Sequence, residues 1–397
     1  MTKIAILVPK LTDGGGERSA SELSLALSNE GIEIFLFLYH NQITYSHQSK
    51  VVELIFQEAT QWWQLPQNVL KQHRKLKKIK QEHGIDITIS FLKEPNLLNI
   101  FSRNNDKIIL TVHSHLTALI QTKGGLSQWI NGWLVKHLYN YADVVVGISE
   151  TISFDLVNNF KIDEKKVKTI YNPFDFKRIK KLAKEDLDDV YSEIFTNSIV
   201  LITVGRLADS KGQWHLIRSF KQIKNFIPNA KLVILGEGHL KDYLNQLIET
   251  LELREDVYLL GFKNNPYKYL KNADIFVFTS LYEGLPNVIV EAMCCELPII
   301  SVDLPGTREI LAPCTENQPS VKKAEYHEFG VLVPTFDGKK YGAHDLLSSS
   351  EVILAEAVVE LLDNKAQLTQ YAEKGKKRIE SFDHSTILNQ WKEIFYG

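Results

Sequence analysis

Thr279-Ser-Leu-Tyr-Glu283-Gly-Leu-Pro286-Asn-Val-Ile-Val-Glu291-Ala-Met293 decides how this chain reads. It follows Asp274-Ile-Phe-Val-Phe278, an apolar run that predicts a buried strand, and it leads into a helix. Pro286 sits where that helix should begin, because its fixed φ suits the first helical position and its missing N–H is not needed there. Strand, tight loop and helix N-terminus together make an anion site, with free backbone N–H groups and the positive dipole end facing one point. Glu283 falls in the loop beside that point. Glu291 falls eight positions later, roughly 10–12 Å along a helix that rises about 1.5 Å per residue. An anion flanked by hydroxyls on both sides suits this geometry, and a nucleotide-sugar has that form.

The same grammar repeats through the second half of the chain. Ser198–Val204 predicts a strand ending at Gly205-Arg206-Leu207, and Asp209-Ser-Lys211-Gly212 then precedes a helix with Leu216, Ile217 and Phe220 on one face. Arg206 and Lys211 lie five residues apart around this turn. They could converge on one anion, Arg with a planar fork and Lys with a point charge, or be two surface cations. Ala230–Leu235 ends in Gly236-Glu-Gly238, Val257–Leu260 ends at Gly261-Phe262, and Leu297–Val302 is followed by Pro305-Gly306. Strand ends rich in glycine and polar residues are what a ligand-facing sheet edge carries. Pro313–Glu325 and Phe336–Ser350 read as surface loops, and Glu351–Leu362 and Thr386–Tyr396 as helices.

The first half alternates in the same way. Lys3–Val8, Ile32–Leu38, Val51–Phe56, Asp86–Phe91, Lys107–Val112, Asp143–Ile148 and Val167–Tyr171 read as strands, with Ser149 placed to cap a helix. Gly14-Gly15-Gly16-Glu-Arg joins the first strand to the first helix. These glycines would let backbone approach a phosphate or sugar, although a flexible turn uses the same residues, and the run is not GxGxxG. His113-Ser-His115 follows a strand directly, which in an open α/β sheet points at the ligand crevice; a structural, hydrogen-bonded role also fits. Leu65–His83 reads as a helix carrying Lys71, Arg74, Lys75, Lys77, Lys78 and Lys80, with Leu65, Val69, Leu76 and Ile79 on one stripe. A solvated face and a surface lying on anionic lipid, with Trp62 and Trp63 as anchors, are both consistent with it. Alternation that runs to residue 171 and then restarts predicts an α/β chain of two Rossmann-like, doubly wound parallel-sheet domains, with Asn172-Pro173 at the break and charged Lys180–Asp189 as linker or short surface helix.

Bulk composition narrows the function classes. With 397 residues and 44% hydrophobic content, two cores can be filled without disulfides or metals. A net charge of −2 argues against nucleic acid as a partner. Cys294, Cys295 and Cys314 form no CxxC pair and stand near no His/Cys cluster, so neither a zinc site nor a disulfide framework is expected, and the thiols suit a reducing cytosol. The N-terminal apolar run is too short for a signal peptide, and no run of about 18 apolar residues would span a bilayer.

Taken in order, these motifs resemble the family-4 retaining glycosyltransferases of the GT-B fold, over nearly the whole chain. Glu283-x7-Glu291 within Glu-Gly-Leu-Pro-Asn-x3-Glu-Ala-Met carries most of the resemblance, followed by Leu-Pro-Ile-Ile. Gly205-Arg206-Leu207 with Lys211-Gly212, the Gly14–Gly16 loop and Asn172-Pro173 fit in matching order. The resemblance implies that Arg206 and Lys211 hold the donor diphosphate, together with backbone groups after Gly284, at Leu285 and Asn287. It implies that Glu291 binds the ribose hydroxyls, that Glu283 and His113 contact the transferred sugar, and that Gly261-Phe262 lies on the base side. It also implies a first domain of residues 1–172 joined by a final helix at 383–397, a second domain of 173–382, and a cleft that closes to exclude water. Two departures stand out. Cys294-Cys295-Glu296 replaces the Ala-Cys-Gly of many relatives and sets an acid against a helix C-terminus. The glycine loop ends in Glu-Arg, a pattern common among members that build bacterial surface glycans.

The expected chemistry is therefore retaining transfer of a hexosyl or N-acetylhexosaminyl group from a UDP-sugar to a hydroxyl of a lipid-linked saccharide. No cofactor or metal is expected. The expected location is cytoplasmic, peripheral on an anionic membrane through Lys71, Arg74, Lys75, Lys77, Lys78 and Lys80. The alternatives are a degenerate sugar-nucleotide-binding scaffold and a sugar-nucleotide epimerase on the same fold.

Overall fold

The computed structural model describes residues 2–12, 14–54, 65–123, 125–315 and 318–397. The chain divides into two compact units, Met1–Phe174 with Phe382–Gly397, and Asp175–Ser381. Phe174 belongs to the first because its N–H donates to Phe382 O (3.2 Å) and its carbonyl accepts from His384 N (3.1 Å).

The first unit holds β1 Lys3–Val8, β2 Glu33–Leu38, β3 Lys50–Glu53, β4 Ile87–Phe91, β5 Lys107–Val112, β6 Val144–Gly147 and β7 Val167–Thr169. Their order is β3-β2-β1-β4-β5-β6-β7, with every neighbouring pair parallel. The central strands are apolar on both faces, as a sheet covered by helices on both sides requires. Ile4, Ile6 and Val8 pack with Leu23 and Leu27 of the helix Gly15–Asn29 and with Ile387, Leu388, Trp391 and Phe395 of the final helix His384–Tyr396. On the other face Ala5, Leu7, Phe35 and Phe37 pack with Leu76 and Leu98. Ser149 caps its helix as its position suggested, its Oγ accepting from Ile152 N at 3.1 Å.

The second unit holds β8 Ile199–Val204, β9 Ala230–Leu235, β10 Val257–Gly261, β11 Ile275–Phe278, β12 Ile299–Val302, β13 Glu325–Tyr326 and β14 Val331–Val333. The order is β10-β9-β8-β11-β12-β14-β13, all parallel except β13 against β14. Two doubly wound α/β sheets are thus present, as the alternation predicted. The strands that the sequence reading missed are β13, whose first residue it placed in a surface loop, and β14. Two and three residues between loops give runs too short to stand out, and the place of β14 is set by pairing with β12 through Ile300↔Val331. The Lys180–Asp189 stretch is the end of one helix, Phe176–Leu182, and the start of another, Asp189–Thr196, with irregular chain between.

Each sheet has one point where successive strands switch from one side of the first strand to the other, between β1 and β4 and between β8 and β11. The carboxyl ends of such a strand pair splay their loops apart and leave a crevice, the usual ligand position in open α/β sheets.

Candidate functional site

In the second unit the loops after β8 and β11 are stitched together at the reversal point. Leu281 N donates to Ser210 O (2.8 Å) and Thr279 Oγ1 to Lys211 O (3.0 Å). Gly212 permits this approach. Its φ is +61°, and a Cβ there would lie 2.5 Å from Thr279 O. The seam places Lys211 Nζ directly on Glu283 Oε1, which also accepts from Ser280 Oγ at 3.1 Å. Both side chains of the pair remain one-fifth exposed, so the couple faces open space. Lys211 Nζ also sits 5.5 Å from the centre of the Phe278 ring. Arg206 leaves the same loop into solvent, and its guanidinium makes no hydrogen bond or ion pair among the described residues.

The helix after Glu283 is Asn287–Cys294, so Pro286 is its N-cap (φ −77°, ψ 97°) and not its first residue. Glu291 is consequently the fifth helical residue, little more than one turn from the start, which shortens the axial separation read from sequence. Its side chain is 1% exposed and accepts from Tyr267 Oη at 3.3 Å. A ribose hydroxyl would have to join Tyr267 there. Leu285 turns its side chain into the core and Asn287 is partly exposed. Gly261 closes β10 at φ +74°, and Phe262 beside it is 60% exposed, an apolar face open to a flat ligand. Among the described residues no group of three or more His, Cys, Asp or Glu is placed to hold a metal ion.

The first unit has its own crevice at its reversal point. Gly14 is the N-cap of the first helix, which begins at Gly15. A Cβ on Gly16 would lie 2.8 Å from Leu92 Cδ2 and 3.8 Å from His113 Cγ, so the glycine loop and His113 are neighbours. Leu92 has φ +74° and ψ 163°, a region almost reserved for glycine. This strain lies next to His113, and no sequence signal announced it. His113 pairs with Thr111 Oγ1 (2.9 Å) and packs against Phe91, with ring centroids 5.3 Å apart. It borders a cavity of about 350 Å³ that Lys93, Asn96, Gln128 and Asn131 also line. The ring is crowded although one edge reaches solvent, and this burial pushes its pKa down to about 4. His113 is therefore neutral near pH 7 and serves as a hydrogen-bonding group. The pH profile of kcat/KM is expected to lack a His113 limb near pH 6.5, and His113→Gln is expected to retain more activity than His113→Ala. A limb near pH 6.5 that vanishes in His113→Gln would overturn this.

Comparison with known proteins identifies the family. Residues 13–178 match the family described as Glycosyltransferase Family 4, and residues 185–320 match Glycosyl transferases group 1. The 4-alpha-N-acetylgalactosaminyltransferase of Campylobacter jejuni that is named for N-acetylgalactosamine-N,N'-diacetylbacillosaminyl-diphospho-undecaprenol is 31% identical, over 100% of both chains. This chain belongs to the family-4 glycosyltransferases. An uncharacterized glycosyltransferase of Methanocaldococcus jannaschii, MJ1059, is 36% identical over 84% of each chain. Among solved structures, Anabaena Alr3699/HepE in complex with UDP and glucose superposes with a TM-score of 0.76 at 19% identity over 99% of each chain, which establishes the GT-B fold.

Two further sequence readings of the glycosyltransferase need correction. The helix Leu65–His83 is present and exposes Lys71, Arg74, Lys75, Lys77 and Lys78, but Lys80 is not on that face. Lys80 is fully buried, with Nζ 2.8 Å from Asp106 Oδ2 and 2.8 Å from Asn99 Oδ1. It cannot meet a membrane. Trp62, Trp63 and the side chains of Leu65 and Val69 lie outside the described residues. Glu296 is the second correction. Its departure from glycine matters through the backbone more than through the helix dipole, because it adopts φ +68°, a left-handed conformation that glycine enters without strain. Its carboxylate is held by Lys271 (3.0 Å) and Lys376 (3.1 Å), which lower its pKa and offset the dipole.

Sequence reasoning also missed what holds the Lys211 loop from beneath. On the helix Gln213–Phe226, His215 Nδ1 (2.8 Å) and Arg218 Nε (3.0 Å) both meet Glu351 Oε1, all three side chains buried. The strap Phe336–Leu346 is tied to this network through Arg218, which donates to the Gly342 and Leu346 carbonyls. Lys340 returns from the strap to Asp209 at 2.6 Å. The 133-residue separation of Arg218 and Glu351 hides this support from any local pattern.

Proposed function

We propose that this glycosyltransferase moves an N-acetylhexosamine from a UDP-sugar to a hydroxyl of a polyprenyl-diphosphate-linked saccharide, with retention at the sugar carbon. The observation that carries the donor side is the Lys211–Glu283 pair at the β8/β11 reversal point, beside the N-terminus of the helix Asn287–Cys294. A diphosphate entering there would take over the Lys211 ammonium. Glu283 would be released to accept from sugar hydroxyls, while Arg206 and the N–H groups ahead of Asn287 bind the phosphates. The named activities of relatives support the acceptor class. The Campylobacter jejuni relative at 31% identity and a second at 23% are both named for N-acetylgalactosamine transfer to undecaprenol-diphosphate-linked saccharides.

In the proposed step the bond from the anomeric carbon to the diphosphate oxygen breaks as the bond to the acceptor oxygen forms on the same face. The acceptor proton passes to the departing diphosphate oxygen. Arg206, Lys211 and the helix N-terminus stabilise the leaving charge, so no divalent ion is assigned a role, and Glu283 positions the sugar.

The test is UDP release from several UDP-N-acetylhexosamines, with and without an undecaprenyl-diphosphate disaccharide, in EDTA and in magnesium. Acceptor-dependent release that persists in EDTA is expected. Release that collapses in EDTA would overturn the metal-free step. No release from any donor would leave a binding scaffold, and an epimerised donor without acceptor would mark an epimerase.

A further inference from the structure

The helix Gly125–Leu138 presents two unlike faces. Gln128, Asn131, Gly132 and Val135 line the cavity beside His113. The opposite stripe is Trp129, Ile130, Trp133, Lys136 and His137, and all five are exposed. Trp129 is 64% exposed, Trp133 50% and Ile130 43%. Two tryptophans one helical turn apart, both open to solvent, are an unusual surface for a soluble protein. The Trp133 ring packs on His137 with centroids 4.6 Å apart, so it is held outward on the helix.

Charge is arranged around this stripe in one sense. From His113 to Ala142 there is no aspartate or glutamate, in a chain that has 48 of them. Lys136 lies at the end of the stripe where the helix dipole is negative, and its long stem can lie along apolar surface with the ammonium in a polar layer. Asn96 Nδ2 donates to Tyr139 Oη (3.2 Å), which ties the segment after this helix to the helix Lys93–Phe101. Lys93–Phe101 in turn packs with Leu65–His83 on one face of the first sheet, through Leu98 and Leu76. The aromatic stripe and the basic residues Lys71, Arg74, Lys75, Lys77 and Lys78 are therefore carried on the same face of that sheet.

We propose that Trp129, Ile130 and Trp133 insert into the headgroup and upper acyl layer of an anionic bilayer, and that the helix bearing them thereby sets the His113 cavity against the membrane surface. Tryptophan suits this depth because its ring is apolar while its indole N–H still finds polar partners. An acid-free surround lowers the repulsion from anionic headgroups, and the basic helix adds attraction that salt screens. The saccharide of a lipid-linked acceptor then enters the cavity over the inner face of the same helix. That last step rests on the acceptor class proposed above; the docking itself does not.

The experiment uses the full chain, vesicles of equal parts phosphatidylcholine and phosphatidylglycerol, and the variants Trp129→Ser/Trp133→Ser and Lys75→Gln/Lys77→Gln/Lys78→Gln. The parent is expected to float with vesicles, with tryptophan emission shifted to the blue and quenched by doxyl groups high on the acyl chain. The tryptophan variant is expected to bind about tenfold more weakly or worse at any salt, given the apolar area two indoles would bury. The lysine variant is expected to lose only the salt-sensitive part. Circular dichroism and cooperative thermal unfolding verify that both variants remain folded. Undiminished flotation of the tryptophan variant, absence of quenching, or a parent dimer that the tryptophan changes dissolve without any vesicle binding would overturn the proposal. Docking without turnover of a lipid-linked acceptor would remove the acceptor reading and leave the docking intact. Turnover without docking would do the reverse.

Discussion

Lys211→Ala is expected to weaken UDP binding by about ten- to a hundredfold, the loss of one or two charge-assisted hydrogen bonds to phosphate. Its turnover is expected to fall further, by about a hundred- to a thousandfold, because the ammonium faces more charge as the diphosphate departs than it does in the bound donor. Glu283→Gln should separate those two effects. The Glu283 carboxylate accepts from Lys211 Nζ, and in the proposed donor complex a phosphate oxygen takes its place. An amide there competes less for the ammonium and does not repel the diphosphate. UDP affinity of Glu283→Gln is therefore expected to be unchanged or higher than the parent's, while turnover falls with the sugar's lost hydroxyl partner. Calorimetry with UDP and steady-state rates with a UDP-N-acetylhexosamine measure both quantities. Parallel losses of UDP affinity in the two variants would mean that Glu283 supports the binding site and does not compete for Lys211.

The sequence showed which loops close the strand ends better than it showed what holds them. Strand runs such as Lys3–Val8, Lys107–Val112 and Ala230–Leu235 were legible to the residue, because strands buried on both faces read as unbroken apolar runs bounded by polar or turn residues. Their order followed from alternation, so the loops bearing Gly14–Gly16, His113, Lys211 and Glu283 could be assigned to carboxyl strand ends before any coordinates. Partnerships across many residues were not legible. His215 and Arg218 meeting Glu351, Tyr267 on Glu291, and the strained Leu92 each depend on where separate loops come together. The helix Gly125–Leu138 escaped for another reason. Its exposed stripe, with Trp129, Ile130 and Trp133, is more apolar than the stripe of Gln128, Asn131, Gly132 and Val135 that lines the cavity, so the usual inward apolar contrast is inverted. Lys80 was misplaced by counting charge and not angle. It lies four residues after Leu76 and next to Ile79, on the inward stripe of its helix.

That inward position makes the loss of Lys80 costly to the fold. Lys80 Nζ and the Asp106 carboxylate meet at 2.8 Å with neither side chain exposed. Asp106 also accepts from Thr88 Oγ1 (2.6 Å) and Asn104 N (2.9 Å), and Lys80 donates to Asn99 Oδ1. Lys80→Ala would leave Asp106 ionised, buried and without its cation, at a cost of about 3–5 kcal/mol. Lys80→Met/Asp106→Asn removes both charges and keeps most of the volume, so it is expected to fall within about 1–2 kcal/mol of the parent. The pair should also show in the pH dependence of stability. Burial, opposed by Asp106, pushes the Lys80 pKa down to about 8 from 10.5, so the unfolded chain binds more protons between those values and the parent gains stability as pH rises through that window. The Asp106 carboxyl is itself raised by burial but drawn lower still by Lys80, so its contribution is complete above the ordinary carboxylate range and is lost as pH falls through its depressed pKa. Relative to the double variant, which titrates at neither site, the parent is expected to lose ground in acid and gain it between pH 8 and 10.5. Denaturant unfolding across that pH range measures the difference. A Lys80→Ala variant as stable as the double variant would show that Asp106 is not held as a buried anion.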